Sequence, residues 1–328
     1  MVRQGFSLDP NVMPIAKKSK SEAESIDNES EKSKNCHNNV DVEVSDAVNH
    51  NERINKNDSH IIEEEKDEEY LKLLTWNIDG LTRENYKERT KCLSLYIKQL
   101  EPQIIHLQEI THEFLDNLEC DYYISENYRI VKPTHELIHY FCVTLVSQEC
   151  TDLSSSSRQY DNTSMNRGFL QTFFCYKHLK ISAINTHLES CSENSNSRIE
   201  QLLECVDLLS QAAKCGYAIF LAGDLNIRDR EVSTIGKSGI LANDCWILSG
   251  RNKLHQYTWD PVQNSNIKLE GQARSRSKMR FDRIYFYDRK QKSIKIDDFI
   301  SCGRRFYGGT KRFISDHWGA MAVFKFLK

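Results

Sequence analysis

Short apolar runs that end abruptly in polar residues constrain the fold of this 328-residue chain more than any other feature. The clearest run is 218–222, which has a glycine close to each end and predicts a buried strand. Asp224 and Asn226 follow at the mouth of that strand, and Arg228 stands two residues further on. Side chains two apart in an extended segment point the same way, so we expect a carboxylate, an amide and a guanidinium to share one small volume.

This grouping suits a phosphate ester, because a carboxylate orients water, an amide donates a hydrogen bond and a guanidinium neutralises phosphate charge. A lone Gly-Asp-Leu-Asn is also an ordinary turn sequence, so the interpretation depends on the other strands. Four further predicted strands meet a polar set at one end: Tyr70–Trp76 before Asn77–Asp79, Ile104–Leu107 before Gln108-Glu109, Lys180–Asn185 before Thr186–Ser190, and 319–326 after Asp316-His317.

Strands and helices intermix along residues 70–328, with adjacent strand pairs between helices. This order predicts an α/β fold, a four-layered α/β sandwich of two packed β-sheets flanked by helices, in which polar strand ends meet at one edge of the core. We interpret residues 70–328 as a single domain. The remaining predicted elements are helices at 86–100, 111–118 and 198–214, strands at 121–131, 138–147, 169–176, 280–287 and 294–300, and a mobile loop at Ser154–Ser157.

Residues 1–69 predict a disordered acidic arm, because their one aromatic residue, Phe6, leaves too little apolar area to offset the entropy of ordering. They carry 9 Lys and Arg against 17 Asp and Glu, whereas residues 70–328 carry 35 against 30. A mildly basic body fits a polyanionic partner. The basic cluster Lys17–Lys20 is either a nuclear import signal or an ordinary group of lysines in a disordered segment.

The cellular location can be predicted from sequence features that are absent. No run of about 18 or more apolar residues predicts a transmembrane helix, and residues 1–20 hold no apolar signal core. The 11 cysteines are scattered without a Cys-x-x-Cys pair, which is typical of reduced thiols. We therefore expect a nuclear protein that can also occupy the cytoplasm.

Glu109 is either a carboxylate facing water at a strand end or an oxygen ligand for Mg²⁺, helped by Asp79 and Asp316. Mg²⁺ prefers one or two carboxylates together with water and substrate phosphate oxygens, so we expect this ion, with Mn²⁺ as a substitute. No set of cysteines and histidines has the spacing of a zinc site.

The histidines are candidates for contacting a phosphoryl group. His317 would need a carboxylate to hold its tautomer and favour its protonated form, and Asp282 is the residue that we expect in that role. His187 is a second candidate donor to phosphate, with Ser190 close to it in the sequence. A lone histidine is more often structural, and only the accompanying polar sets favour the functional interpretation.

Together the five polar sets occur in an order that resembles the exonuclease–endonuclease–phosphatase superfamily of Mg²⁺-dependent phosphoesterases. The resemblance spans nearly all of residues 70–328. Further motifs resemble the branch of that superfamily that removes a topoisomerase II tyrosine from a 5′ DNA end: Asn226–Val232, Gln256–Asp260, Asn264–Asn266, Arg280–Ile284 and Ser315–Gly319.

The resemblance implies an active site, a DNA-binding groove and a reaction. The reaction is in-line hydrolysis of a 5′-phosphotyrosyl bond on a single-stranded 5′ end, by a monomer without membrane contact, leaving a ligatable 5′-phosphate. An apolar wall would guide the 5′-terminal nucleotides. The implied catalytic residues are Asn77, Glu109, His187, Asp224, Asn226, His317 and its partner Asp282, and the implied DNA contacts are Ser190, Arg228, Trp259, Ile267 and Phe281.

Alternatives remain open at this point. An abasic-site endonuclease of the same superfamily would need to hold a flipped-out sugar, and a non-catalytic signalling adaptor would not need the catalytic set. Residues 1–69 lack the helical pattern of the ubiquitin-binding domain that many animal members carry, so ubiquitin binding is doubtful. Basic residues in Gly271–Lys278 and Gly303–Phe313 indicate either DNA backbone contacts or solvated loops.

Overall fold

Two β-sheets carry the fold in the computed structural model, which describes residues 69–134, 139–236, 239–269, 277–289 and 293–327. The strands in chain order are β1 (Tyr70–Asn77), β2 (Ile104–Ile110), β3 (Tyr128–Val131), β4 (Phe141–Ser147), β5 (Thr151–Gln159), β6 (Gly168–Tyr176), β7 (Leu179–His187), β8 (Ala218–Asp224), β9 (Asp282–Tyr287), β10 (Ile294–Cys302) and β11 (Gly319–Phe326). The helices are α1 (Tyr86–Leu100), α2 (His112–Glu119), α3 (Tyr122–Asn127), α4 (Ser195–Lys214), α5 (Asp229–Ile235) and α6 (Cys245–Leu248).

The strand order brings two parallel pairs to the middle of the fold. One sheet has the order β10-β11-β1-β2-β4-β3, and the other has the order β5-β6-β7-β8-β9. In the first sheet β1 and β2 are parallel and are separated in the chain by α1, and in the second β7 and β8 are parallel and separated by α4. All other neighbours are antiparallel.

The sheets pack face to face because each central strand is apolar on both sides. On β1, Leu71 and Leu73 join the cluster between the sheets, whereas Leu74 and Trp76 join the cluster under the first three helices. Helix α4 covers the outer face of the second sheet. Burying one such side chain contributes about 1.5–3 kcal/mol. The predicted four-layered α/β sandwich is therefore confirmed.

The apolar rows between the sheets end in polar residues at a single edge. The inward-facing row of β1 runs through Leu71 and Leu73 to Asn77, and that of β8 ends at Asp224. The row of β7 ends at His187, and antiparallel β9 begins at Asp282 on the same side. Because side chains alternate between faces, each polar residue shares the face of the core residues two and four positions away.

The predicted strand at 121–131 is wrong over its first half. Tyr122–Asn127 form α3, and β3 begins only at Tyr128. The side chain of Asp121 accepts a hydrogen bond from the backbone amide of Ile124 at 3.1 Å and another from Ser94 at 2.7 Å. A capping carboxylate tied to α1 thus outweighs the β propensity of the aromatic run.

The predicted mobile loop at Ser154–Ser157 is also wrong, because these residues lie inside β5. Among the described strands this one lies at the edge of its sheet and pairs with β6 alone, and Ser154, Ser155 and Ser156 are exposed on it. Polar residues on an edge strand protect it from pairing with another chain, and their polarity mimics that of a loop.

The other predicted helices and strands are observed, with ends that shift by a few residues. No helix among the described residues is long and apolar enough to cross a membrane. The predicted disordered arm and its lysine cluster lie outside the described residues, apart from Glu69, as does most of the basic segment Gly271–Lys278.

Candidate active site

Three side chains converge on Asp224 at the polar edge. Its Oδ2 atom accepts a hydrogen bond from Asn77 Nδ2 at 3.0 Å and lies 3.3 Å from His187 Nε2 and 3.7 Å from His317 Nε2. Burial alone would raise the pKa of Asp224, but both histidines and the hydrogen bonds from His187 and Asn77 outweigh it and hold this pKa below its usual range. The residue is therefore an ionised, oriented carboxylate that is only 2% exposed.

The loop after β8 is shaped to hold this carboxylate. The Oδ1 atom of Asp224 accepts the backbone amide of Asn226 at 3.1 Å, and Asn226 adopts φ 49° and donates its side-chain amide to the carbonyl of Leu188 at 3.1 Å. Asparagine tolerates this left-handed conformation better than most residues. A Cβ atom on Gly223 would lie 1.8 Å from the carbonyl oxygen of Thr186, so only glycine allows β7 and β8 to approach here.

His317 is held between two carboxylates. Its Nδ1 atom donates to Asp282 Oδ2 at 2.7 Å, and Asp282 is fully buried. Burial would lower the pKa of His317, but Asp282 and Asp224 outweigh it and raise this pKa well above its usual value. The predicted pairing of His317 with Asp282 is thus present in the structure and yields a charged imidazolium.

His187 has the opposite character. Burial and the adjacent Arg167 guanidinium lower the pKa of His187 to about 4. Arg167 donates to Nδ1 of this ring and lies over the Tyr140 ring, 5.1 Å from its centroid. Because Nδ1 accepts, the proton of the neutral ring is on Nε2, which points at Asp224. The two histidines at this site therefore carry different charges.

Glu109 reaches the site through a distortion of β2. The register of β2 with β4 shifts between Leu107 and Ile110, and Glu109 has φ 57°. The backbone there packs so closely that a Cβ atom on Gly80 would lie 1.8 Å from the Glu109 carbonyl oxygen. A bulge of this kind re-aims a side chain next to a site. The carboxylate of Glu109 lies 3.9 Å from His187 Nδ1.

Glu109, Asp79 and Asp316 form a cluster of carboxylates beside Asp224. Burial, followed by the negative charge of Asp316, raises the pKa of Glu109 to about 7 and that of Asp79 to about 6. Carboxylates that repel one another in a partly buried site fit a bound cation, which would restore their ordinary ionisation. The negative charge of Asp316 acts on both Glu109 and Asp79, so the three carboxylates lie in one neighbourhood, and their oxygens are the donors that a hard divalent ion prefers.

A second group can also hold a metal ion. Ligand atoms of Asp224, Asp282 and His317 all lie within 4.8 Å of one another, and all three residues are buried. In this group, however, the imidazole Nδ1 is already engaged by Asp282 at 2.7 Å. A hard oxygen-seeking ion fits the carboxylate cluster better, because a protonated histidine is not a ligand.

The predicted apolar wall is only partly exposed to a ligand. The Trp259 and Phe281 rings are 6.0 Å apart, and Phe281 stands 6.4 Å from the His317 ring. Arg228 lies over Phe281, with its guanidinium carbon 5.6 Å from the ring centroid. Ile267 is only 7% exposed, so it offers a ligand little surface of its own.

Ser190 and Arg228 are placed by a buried ion pair that the sequence did not reveal. Arg198 on α4 donates to Glu231 on α5 at 2.7 Å and to the carbonyls of Glu189 and Cys191 at 2.7 and 2.9 Å. Glu231 Oε2 also accepts the backbone amide of Arg228 at 2.7 Å. This pair fixes the loop after β7 against the loop after β8. Ser190 itself donates to the Met165 sulfur at 3.1 Å.

Two further residues of the site were missed in the sequence. Arg167 precedes β6, far in the chain from the other polar sets, and no local pattern distinguishes it from a surface arginine. Ser315 lay inside a recognised motif, and its hydroxyl donates to the Asn77 carbonyl at 2.6 Å and accepts the His317 amide at 3.0 Å. It thereby ties the end of β1 to the segment that carries His317.

The chain is similar to known proteins over most of its length. The sequence profile of the Endonuclease/Exonuclease/phosphatase family matches residues 74–317. Tyrosyl-DNA phosphodiesterase 2 of Xenopus tropicalis is 30% identical over 293 residues, covering 87% of this chain and 74% of the relative. The 5′-tyrosyl-DNA phosphodiesterase of Caenorhabditis briggsae is 30% identical over 256 residues, covering 77% of this chain and 69% of that protein.

A solved structure is similar to this chain in fold. The crystal structure of D. rerio TDP2 complexed with single-stranded DNA product superposes with a TM-score of 0.70 at 27% sequence identity. The match covers 78% of this chain and 98% of that one. The family profile spans the polar edge described above, from β1 to His317.

Proposed function

The chain belongs to the endonuclease/exonuclease/phosphatase family and to its tyrosyl-DNA phosphodiesterase 2 group, and we propose that it hydrolyses the bond between a tyrosine and a 5′ DNA end. The observation that carries this proposal is the ring of donors around Asp224 Oδ2, from Asn77, His187 and His317. Such a ring suits an anionic phosphoryl group attacked by water.

Asp224, held in place by Asn226, orients and activates the attacking water. An ionised carboxylate accepts one proton of the water and aims its lone pair at phosphorus. Asn226 fixes this carboxylate through its backbone amide, 3.1 Å from Oδ1. Because the carboxylate is buried and its pKa is held below the usual range, it remains ionised throughout the neutral pH range.

The donors that surround Asp224 stabilise the phosphoryl oxygens. His317 contributes a full positive charge, held by Asp282, while His187 contributes a neutral Nε2–H and Asn77 an amide. These donors are already in place before substrate arrives, so little reorganisation is needed during the reaction. The leaving group is a phenolate, whose conjugate acid has a pKa of about 10, so its departure needs little proton donation.

We propose Mg²⁺ as the resident ion, held by Glu109 with help from Asp79 and Asp316. When bound, Mg²⁺ supplies Lewis-acid polarisation of the phosphate and charge for the leaving oxygen. The support is the raised pKa of Glu109, about 7, and of Asp79, about 6, which a cation would reverse. Mn²⁺ has the same ligand preference and should substitute for it.

The DNA is expected on the Trp259–Phe281 side. Aromatic faces stack on bases without regard to sequence, and Arg228 above Phe281 adds a positive charge for the backbone. D. rerio TDP2 has been solved with a single-stranded DNA product. We therefore infer that a single-stranded 5′ end of DNA, bearing a tyrosine or peptide from topoisomerase II, is the substrate of this chain.

The test is a substrate panel with the full chain and Mg²⁺. A 5′-phosphotyrosyl oligonucleotide should be converted to a 5′-phosphate end, while a 3′-phosphotyrosyl oligonucleotide and an abasic duplex should not react. Activity should disappear on chelation and in Glu109→Gln. Incision of the abasic duplex in preference to the tyrosyl substrate would refute the substrate assignment and favour the endonuclease alternative.

A nuclear location and a monomeric state remain part of the proposal. The DNA substrate and the cluster Lys17–Lys20 support the first. Fluorescence microscopy of the chain with these three lysines replaced by alanine should show loss of nuclear accumulation, and sedimentation should give the mass of one 38.2 kDa chain. Unchanged nuclear signal would contradict the assignment of the cluster.

A further inference from the structure

A cavity of about 390 Å³ opens beside the carboxylate side of the active site, and the reaction proposed above does not use it. Its volume is within the range of ligand pockets, about 300–1,000 Å³. It lies where the chain leaves β1 and β2, the strands that carry Asn77 and Glu109. Its lining residues are Gly80, Leu81, Arg83, Tyr86, Thr111, His112, Glu113 and His139.

Hydrogen bonds between side chains and backbone hold the floor of this cavity in place. The Thr111 hydroxyl donates to Tyr86 Oη at 3.3 Å, and Tyr86 in turn donates to the Gly80 carbonyl. The buried guanidinium of Arg89 donates to the carbonyl of Asp79 at 2.9 Å and to that of Ile314 at 2.7 Å. The two chain segments that frame the cavity are therefore locked together before any ligand binds.

The rim of the cavity has the mixed chemistry of a peptide-binding surface. Leu81 is 55% exposed at its edge, and Arg83 and Glu113 are exposed charges of opposite sign. An exposed apolar side chain together with charges of both signs suits a peptide with a varied sequence better than it suits a polyanion. His139 continues the rim toward Tyr140, whose ring is 6.4 Å from that of His187.

The side on which the leaving group departs is also the side of this cavity. Asp224, which orients the water, is on β8 of the second sheet, and the nucleotides are expected at Phe281. In an in-line displacement the leaving oxygen departs on the side opposite the water. That side is the first sheet, with Glu109 and the cavity between Gly80 and Thr111.

We propose that this cavity binds the peptide that remains attached to the tyrosine, and that it contributes to affinity for peptide-bearing DNA ends. This inference rests on the proposed function and assigns a binding surface to the peptide part of the substrate. The tyrosine alone would reach the catalytic centre without filling the cavity. A tyrosine that carries peptide on both sides would cover Leu81 and the neighbouring charges.

The experiment compares two substrates on three proteins. The substrates are a 5′-phosphotyrosyl oligonucleotide and the same oligonucleotide with the tyrosine inside a peptide. The proteins are wild type, Leu81→Ala and Leu95→Ala, because Leu95 is exposed to the same 55% on α1 and does not line the cavity. Leu81→Ala should raise KM for the peptide substrate about fivefold, since roughly half of a leucine's burial is lost. Its kcat and its KM for the tyrosine substrate should stay within twofold of wild type, as should every value for Leu95→Ala.

Binding provides a second measurement that does not depend on turnover. In an Asp224→Asn background, fluorescence anisotropy should show tighter binding of the peptide substrate than of the tyrosine substrate, and Leu81→Ala should abolish that difference. Equal losses on both substrates, or no loss on either, would overturn the proposal while leaving the phosphodiesterase activity intact. A wild-type protein that hydrolyses neither substrate would refute the proposed function, and this inference with it.

Discussion

Replacing Asp282 by asparagine should disable the enzyme through His317. The shape of the side chain is kept, but the charge that faces His317 Nδ1 at 2.7 Å is removed from a fully buried position. A charge-assisted hydrogen bond of this kind contributes about 1.5–3 kcal/mol, and loss of a transition-state donor costs about 2.7–4 kcal/mol. We therefore expect kcat on a 5′-phosphotyrosyl oligonucleotide to fall about 10²- to 10³-fold.

A double-mutant cycle isolates this mechanism from general damage. His317→Gln should lower kcat at least as much, and the double variant should be no worse than His317→Gln alone, because Asp282 acts only through that ring. Single-turnover hydrolysis is the assay, since it reports the chemical step. Asp288→Asn, a buried carboxylate at the other end of β9, is the matched control and should retain kcat within threefold of wild type.

Two results would refute this reasoning. Losses that multiply in the double variant would show that Asp282 has a role independent of His317. A kcat for Asp282→Asn within threefold of wild type would show that the charge on His317 is not needed. Unfolding midpoints in urea should be measured for wild type and all four variants, so that loss of fold is not mistaken for loss of chemistry.

Three further predictions concern stability and the metal. Burial lowers the pKa of His106 from its ordinary value of 6.5 to about 3. Between these two pH values the unfolded state binds more protons than the folded state, so the free energy of unfolding decreases as the pH is lowered. Wild type should therefore lose about 2 kcal/mol more unfolding free energy than His106→Leu between pH 7 and 5, measured in urea, and equal losses would contradict this. Gly223→Ala should lower the unfolding free energy by more than about 3 kcal/mol, because the new Cβ would lie 1.8 Å from a backbone oxygen. In the control Gly216→Ala the new Cβ meets nothing within 4 Å, so the loss should be about 1 kcal/mol. Similar losses for the two variants in circular-dichroism melts would argue against the close approach of β7 and β8 at Gly223. Mg²⁺ should raise the melting temperature of wild type but not of Glu109→Gln, and a shift retained in the variant would place the ion elsewhere.

Much of the fold could be predicted because local sequence and tertiary structure agree there. The run 218–222 is apolar on both faces, and β8 is buried on both faces. The predictions failed where the environment outweighed composition, as for the serines of β5 at a sheet edge and for α3, which Asp121 caps. Neither the position at an edge nor a hydrogen bond from another helix leaves a local pattern.

Part of the candidate site was accessible to sequence reasoning for a related reason. Asn77 and Asp224 lie at the ends of strands and continue the core-facing rows of those strands, so alternation alone directs both to the same edge. Glu109 departs from this pattern, because the bulge in β2 re-aims its side chain. Arg167 and the pair Arg198–Glu231 have no such link to the chain pattern. Their roles depend on contacts between segments distant in sequence, which only the folded structure reveals.

The most direct test of the account is single-turnover hydrolysis of a 5′-phosphotyrosyl oligonucleotide in ¹⁸O-labelled water, with wild type and Asp224→Asn. The account predicts that wild type places the label in the 5′-phosphate and releases unlabelled tyrosine, because water attacks phosphorus. Asp224→Asn should be slower by at least about 10²-fold, since the water is no longer oriented and activated. Label in the tyrosine, or a variant as fast as wild type, would contradict the claim that this site hydrolyses the 5′-tyrosyl bond.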